Sequence, residues 1–262
     1  MKVTFDSNVW RKVTTPENFP KDPEIEHYKI IHDAINSKQI EAFLSETVFT
    51  LEAIKRDERK SFFRAYRPKI RIIEDEKSNN PDGMMHITMS IGPNEDAHPG
   101  NNDFLKEHFS DAEKLGFKII HVPRIASVVN KDIENARYKH KEGELGNYLD
   151  KVFEVEKRIN ALEAGNYEIQ QIGLKYDESS WFVGVGKAPD SEDSIIAKAI
   201  AEWADGDSIA AHIAINGDYF CTNDLAIKGG PNSVLSAKNL EILGKEYGLK
   251  IKTPKELSEL LM

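Results

Sequence analysis

The sequence predicts an α/β protein, a three-layer α/β/α arrangement around a central, mostly parallel sheet with a mainly helical subdomain inserted in its middle. Three observations point there. Short apolar runs alternate with amphipathic helical runs at the N-terminus, the same alternation resumes from Asp193 to the C-terminus, and a long charged stretch separates the two. Such alternation favours parallel strands, because a parallel pair needs a crossover connection and a helix is the usual one. The 262 residues therefore read as one domain with a discontinuous core, about 1–73 and 191–262, interrupted by an insertion at about 74–190.

The first strand covers about 2–5, where Val3 and Phe5 are apolar and Asp6 ends the run. After a loop with Pro16, Pro20 and Pro23, the residues Ile25, Tyr28, Ile31 and Ile35 recur at helical spacing over 24–38, and 40–44 read as a second strand. Ser45 is placed to cap a following helix with Val48, Leu51 and Ile54 on its inward side and Glu52 beside them. Residues 74–103 are dense in Asn, Asp, Pro and Gly, a pattern of turns. A helix at 104–115, a buried strand at 117–122 and a charged helical pattern over 133–162 come next. The stretches 169–176 and 181–186 flank Asp177-Glu178-Ser179-Ser180 as a candidate hairpin, completing a subdomain at about 126–190. From Asp193 the residues Ile195, Ile196, Ala199, Ile200 and Trp203 predict a helix, which Asp205-Gly206-Asp207 interrupts before a second one begins. A strand at 219–221, a helix at 237–247 stopped by Gly248, and a strand at 249–252 follow. Thr253-Pro254-Lys255-Glu256 opens the last helix as a capping box with proline at its first position.

A hydrophobic content of 40% is enough for a core that needs no covalent staple. Cys221 is the only cysteine, which excludes an intrachain disulfide and a multi-cysteine zinc site. With no signal-peptide pattern and no run of about eighteen apolar residues, the expectation is a soluble, cytoplasmic protein with no membrane partner. A net charge of −9 argues against coating nucleic acid with the whole surface. Locally the balance reverses: Lys55, Arg56, Arg59, Lys60, Arg64, Arg67, Lys69 and Arg71 face only Asp57 and Glu58, with Phe62, Phe63 and Tyr66 interleaved. Such a segment can track phosphates and stack bases, or it can be a solvated helix face whose aromatics belong to the core.

Four acids stand at or just beyond the carboxyl ends of strands, or on the helices that follow, where open parallel sheets build their sites: Asp6, Glu52, Asp207 and Asp224. Carboxylates forced together raise one another's pKa unless a cation neutralises them, and oxygen-only ligands suit Mg²⁺ or Mn²⁺. Glu46 is an alternative to Glu52, and Asp205 or Glu202 to Asp207. Spacing from Ser45 favours Glu52, and the following Ser-Ile-Ala-Ala favours Asp207. Ser7, Asn8, Thr222 and Asn223 are positioned to orient the acids by hydrogen bonds. Gly184-Val185-Gly186-Lys187 lacks the remaining glycine and hydroxyl of a phosphate loop, and His212 reads as an ordinary helix histidine.

Taken in order, the strand ending Phe5-Asp6-Ser7-Asn8, the Ser45-to-Glu52 segment, Asp207-Ser208-Ile209-Ala210-Ala211, Thr222-Asn223-Asp224 and the closing Gly248-to-Pro254 segment resemble the PIN-domain nucleases. The resemblance covers about 1–60 and 190–262. It implies a PIN-like fold and a magnesium- or manganese-dependent ribonuclease that hydrolyses phosphodiester bonds with Asp6, Glu52, Asp207 and Asp224 as metal-binding catalytic acids. It also implies RNA ahead of DNA as partner and pairing of two copies into a homodimer; the basic stretch itself offers Lys55, Arg56, Arg59, Lys60, Arg64 and Arg67 as the nucleic-acid contacts. Two departures stand out: Ala226 and Ile227 occupy positions where many relatives place a further acid, and the insertion has no counterpart in a minimal PIN domain. The alternative is a PIN-like module of little or no activity that binds RNA, or a protein partner through the insertion.

Overall fold

Side chains alternate across the first strand: Val3 and Phe5 enter one core, while Thr4 turns to the other face and reaches His212. The computed structural model describes residues 1–65, 69–74, 87–92, 103–122, 136–224, 230 and 232–262, with 69–74, 87–92 and 103–107 given as backbone alone. Its main sheet comprises β1 (Lys2–Phe5), β2 (Glu41–Ser45), β3 (Lys118–Ile120), β4 (Tyr219–Cys221) and β5 (Ile251–Lys252). All pairings are parallel and the order is β3-β2-β1-β4-β5, with Val3 in register with both Ala42 and Tyr219. The chain reverses its direction of travel across the sheet between β1 and β4. A crevice at the carboxyl ends of those two strands is the place where such sheets bind ligands.

One layer holds α1 (Trp10–Thr14), α2 (Ile25–Asn36), α4 (Asp103–Leu115) and α10 (Pro254–Glu259). Trp10, Tyr28, Ile31, Phe109 and Leu257 from these helices pack with Phe5, Leu44 and Cys221 from the sheet. Across the sheet, α5 (Glu144–Ala161), the second half of α8 (Asp193–Ala214) and α9 (Ala237–Tyr247) enclose Phe43, Ile120 and Phe220. A third core joins Leu51, Ile54 and Phe63 to α6 (Tyr167–Tyr176), α7 (Trp181–Lys187) and the first half of α8, with α3 (Arg59–Ala65) supplying Phe63. The α/β class and the parallel sheet match the sequence reading, as do the capping box at Thr253 and the left-handed Gly248 (φ +72°) that ends α9.

Several local expectations are corrected. Residues 169–176 and 181–186 form helices α6 and α7, not a hairpin of strands. Gly173 and Gly184 let the two helix backbones touch, since a Cβ on Gly184 would lie 1.9 Å from the Gly173 carbonyl oxygen. The Asp205-Gly206-Asp207 segment does not interrupt α8, which runs unbroken through it. Gly206 serves close packing there, its absent Cβ leaving room for the backbone at Gly165. Ser45 caps only a single 3₁₀ turn, Glu46–Val48, and no α-helix starts before Arg59. Residues 87–92, read as loop, pair antiparallel with 69–74; the alternation Ile87, Met89, Ile91 carried that signal. Finally, β3 is an edge strand of the main sheet, so a stretch assigned to the insertion contributes to the core, with α4 packing beside it.

Candidate functional site

Asp6 follows β1 directly and is held by three donors. The Ser7 backbone N–H gives to Oδ1 at 2.6 Å, while Asn8 Nδ2 (2.7 Å) and the Thr222 hydroxyl (2.6 Å) give to Oδ2. Thr222 follows β4, so the hydrogen bond crosses the reversal point of the sheet and ties its two halves together. The Thr222 oxygen also accepts from the Asp224 backbone N–H at 2.9 Å, which turns Asp224 back toward the same edge. Ser7 Oγ donates to Glu52 Oε1 at 3.3 Å and brings the turn after β2 into the group. Asn223 takes a different part: its N–H donates to Asn8 Oδ1 and its amide nitrogen to the Tyr28 hydroxyl, so it positions Asn8 and touches no acid.

Burial acts first on these carboxyls, and the charges of neighbouring acids act after it. Burial raises the Asp6 carboxyl above its ordinary value, against the lowering effect of the Thr222 and Ser7 bonds, and the Asp224 charge adds to the rise. Burial, then the neighbouring Asp6 charge, pushes Glu52 up to about 7, opposed by Ser7 and the Arg59 guanidinium. Asp205 is raised well above its ordinary value: burial comes first, followed by the charges of Asp6, Glu52, Glu202 and Asp224. Asp224 itself is exposed at the rim.

Of the four acids expected from the sequence, the structure thus gathers Asp6, Glu52 and Asp224. The fourth, Asp207, points elsewhere: it is buried, and its charge falls on Tyr148 of α5. Asp205, the alternative, stands in its place. Two residues apart on a continuous helix, the two side chains diverge by about 200°, and only an assumed break in α8 allowed both to be considered for one edge. Glu202 lies a turn away from Asp205, but its carboxylate accepts from the backbone N–H groups of Gly165 (3.1 Å) and Val234 (2.7 Å), clasping two loops. Glu46 is wholly buried in a separate network, accepting from Val122 N–H and Arg137 and bonded to His121.

The basic segment is largely engaged inside the protein. Lys60 is buried and paired with Asp190 and with Asp193 (2.8 Å), Arg59 donates to the carbonyls of Ile54 and Ala197, and Arg64 donates to the Gly186 carbonyl. Arg56 reaches Ser194 Oγ at 3.3 Å, and Lys55 pairs with Glu58. Phe62 and Phe63 pack in the third core. Arg67, Tyr66, Ala226 and Ile227 lie outside the described residues.

Beside the acids opens a cleft of about 660 Å³ lined by Asp205, Asp224, Glu202, Lys198, Tyr167, Asn232 and others. Sequence reasoning missed this feature, because it depends on α6 being a helix and α8 being continuous. Among the described residues no group of three or more His, Cys, Asp or Glu side chains is arranged to hold a metal ion. Nor is any described helix long and apolar enough to cross a membrane. Comparisons with protein-family models, with curated proteins and with solved structures returned no match.

Proposed function

We propose that this chain is a metal-dependent nuclease with a PIN-like fold, hydrolysing phosphodiester bonds of RNA at the carboxyl edge of β1 and β4. One observation carries the reading: Asp6, Glu52 and Asp205, brought from three distant parts of the chain, lie near enough at a partly buried edge that, after burial, the Asp6 charge raises Glu52 and the charges of Asp6 and Glu52 raise Asp205. Such a cluster is destabilised when ionised and gains most from a divalent cation, and its all-oxygen donors suit Mg²⁺ or Mn²⁺. Magnesium is commonly held by one or two carboxylates and completes its shell with water and substrate phosphate, so a finished three-carboxylate shell is not required. Asp6 and Asp205 are the proposed holders of the ion, with Glu52 and Asp224 beside them. When bound, it supplies charge neutralisation at the phosphate and a more acidic water.

The chain's own residues do the rest. Three hydrogen bonds fix both Asp6 oxygens, leaving the carboxylate little freedom to turn. Ser7 orients Glu52, whose free oxygen can hold a water or take its proton near neutral pH. Arg59 sits near enough to stabilise Glu52 in its charged form. The test is cleavage of end-labelled RNA and DNA, single-stranded and duplex, in Mg²⁺, Mn²⁺ or EDTA, by wild type and Asp6→Asn. Metal-dependent cleavage lost in the variant supports the reading; folded wild type that cleaves nothing in either metal refutes it.

A further inference from the structure

Lys198, Ala201, Glu202 and Asp205 recur at i, i+3, i+4 and i+7 on α8, so a single stripe of the helix walls the cleft. Asp205 lies at the acid end, and Lys198 stands about 10 Å further along the helix axis. Tyr167, Glu168 and Gln171 from the start of α6 line the same space. Among the described residues the Tyr167 ring makes no stacking contact and its hydroxyl no hydrogen bond, and the Lys198 ammonium has no ion-pair partner. An idle aromatic face and an idle cation therefore line one cleft together with Asp205 and Asp224 of the acid group. The basic residues of α3, by contrast, are occupied with carbonyls and carboxylates of the protein itself.

Resting on the nuclease reading, we propose that Tyr167 and Lys198 hold the nucleotide next to the scissile phosphate. Tyr167 is the platform on which its unpaired base stacks, Lys198 contacts its phosphate, and together they select single-stranded substrate. A base in a duplex has both faces covered by its neighbours and cannot use the ring, whereas stacking on an aromatic is indifferent to base identity. Glu163 and Glu168 lie on the same lining, and their carboxylates oppose a phosphate that passes close to them.

The test measures anisotropy of a labelled single strand on an Asp6→Asn background and steady-state cleavage on the wild-type background, both in Mn²⁺. The variants are Tyr167→Ala, Tyr167→Phe, Lys198→Ala and, as a control, Lys238→Ala, an exposed lysine on α9. Tyr167→Ala and Lys198→Ala are each expected to weaken binding about tenfold, with most of the loss in KM, while Tyr167→Phe and Lys238→Ala bind as the parent. Lys198→Ala should also flatten the dependence of log K on log salt by about 0.7. If Tyr167→Ala and Lys198→Ala both stay within twofold of the parent while cleavage remains metal-dependent, this inference falls and the nuclease reading stands. If folded wild type cleaves no strand, the nuclease reading falls first and this inference with it.

Discussion

Replacing Glu52 by Gln removes one of the clustered charges and keeps an oxygen to accept the Ser7 hydroxyl. A carboxyl whose value moves from 4.5 to about 7 on folding binds its proton more tightly in the native state than in the unfolded chain. Stability then falls as pH rises between those two values, because ionisation is free in the unfolded state and opposed in the folded one. At pH 8 the full difference, about 3 kcal/mol, weighs against the native state, and at pH 5 less than about 1 kcal/mol does. Those figures are ceilings, since water entering at the half-exposed side of Glu52 screens part of the charge. For a chain of this size, 1 kcal/mol corresponds to about 2–4 °C in Tm. Glu52→Gln should therefore melt several degrees above wild type at pH 8 and within about 2 °C of it at pH 5, with no added metal in either case. The measurement is thermal denaturation followed by circular dichroism at both pH values. A variant that melts below wild type at pH 8, or by the same margin at both, would show that Glu52 is not held in a repulsive cluster.

Mg²⁺ or Mn²⁺ should raise the wild-type Tm more at pH 8 than at pH 5.5, because protons compete for the same oxygens; equal shifts would place the ion elsewhere. Thr222→Val removes the hydroxyl that donates to Asp6 and accepts from Asp224 N–H. It should cost about 1–3 kcal/mol in chemical denaturation at pH 8 and lower metal affinity about tenfold or more, and a neutral result would show that the hydroxyl is dispensable to both. Gly184→Ala drives a methyl to 1.9 Å from the Gly173 carbonyl and should destabilise the protein by about 3 kcal/mol, whereas Gly146→Ala, with nothing near its absent Cβ and an ordinary helical backbone in α5, should not destabilise it.

The strands of the main sheet were legible because each is a short apolar run closed by a polar residue: Phe5 before Asp6, Leu44 before Ser45, Cys221 before Thr222. The end of α9 and the start of α10 were legible because Gly248 and the Thr253 capping box act through local backbone chemistry alone. Errors arose where a residue's role is tertiary. Gly173 and Gly184 lie in stretches read as strands, and Gly206 read as a helix breaker; each marks a place where backbones approach, which nothing within its own segment reveals. That misreading carried into the site, since a broken α8 made Asp207 equivalent to Asp205. The helical period held the correction: Lys198, Glu202 and Asp205 share one face, whereas Asp207 falls on the stripe of Ile200, Trp203 and Ala211, which is buried. The basic segment was equally ambiguous, because only the packed structure reveals that Lys60 and Arg64 meet partners contributed by residues more than a hundred positions away.

The central claim is that one divalent ion is held at Asp6 and Asp205. Titration of Mn²⁺ followed by electron paramagnetic resonance at pH 8, on wild type, Asp205→Asn and Asp207→Asn, tests it most directly. The account predicts saturable binding by wild type and Asp207→Asn and its loss in Asp205→Asn, with all three proteins folded. Binding that survives in Asp205→Asn and disappears in Asp207→Asn, or no saturable binding by wild type, would contradict it.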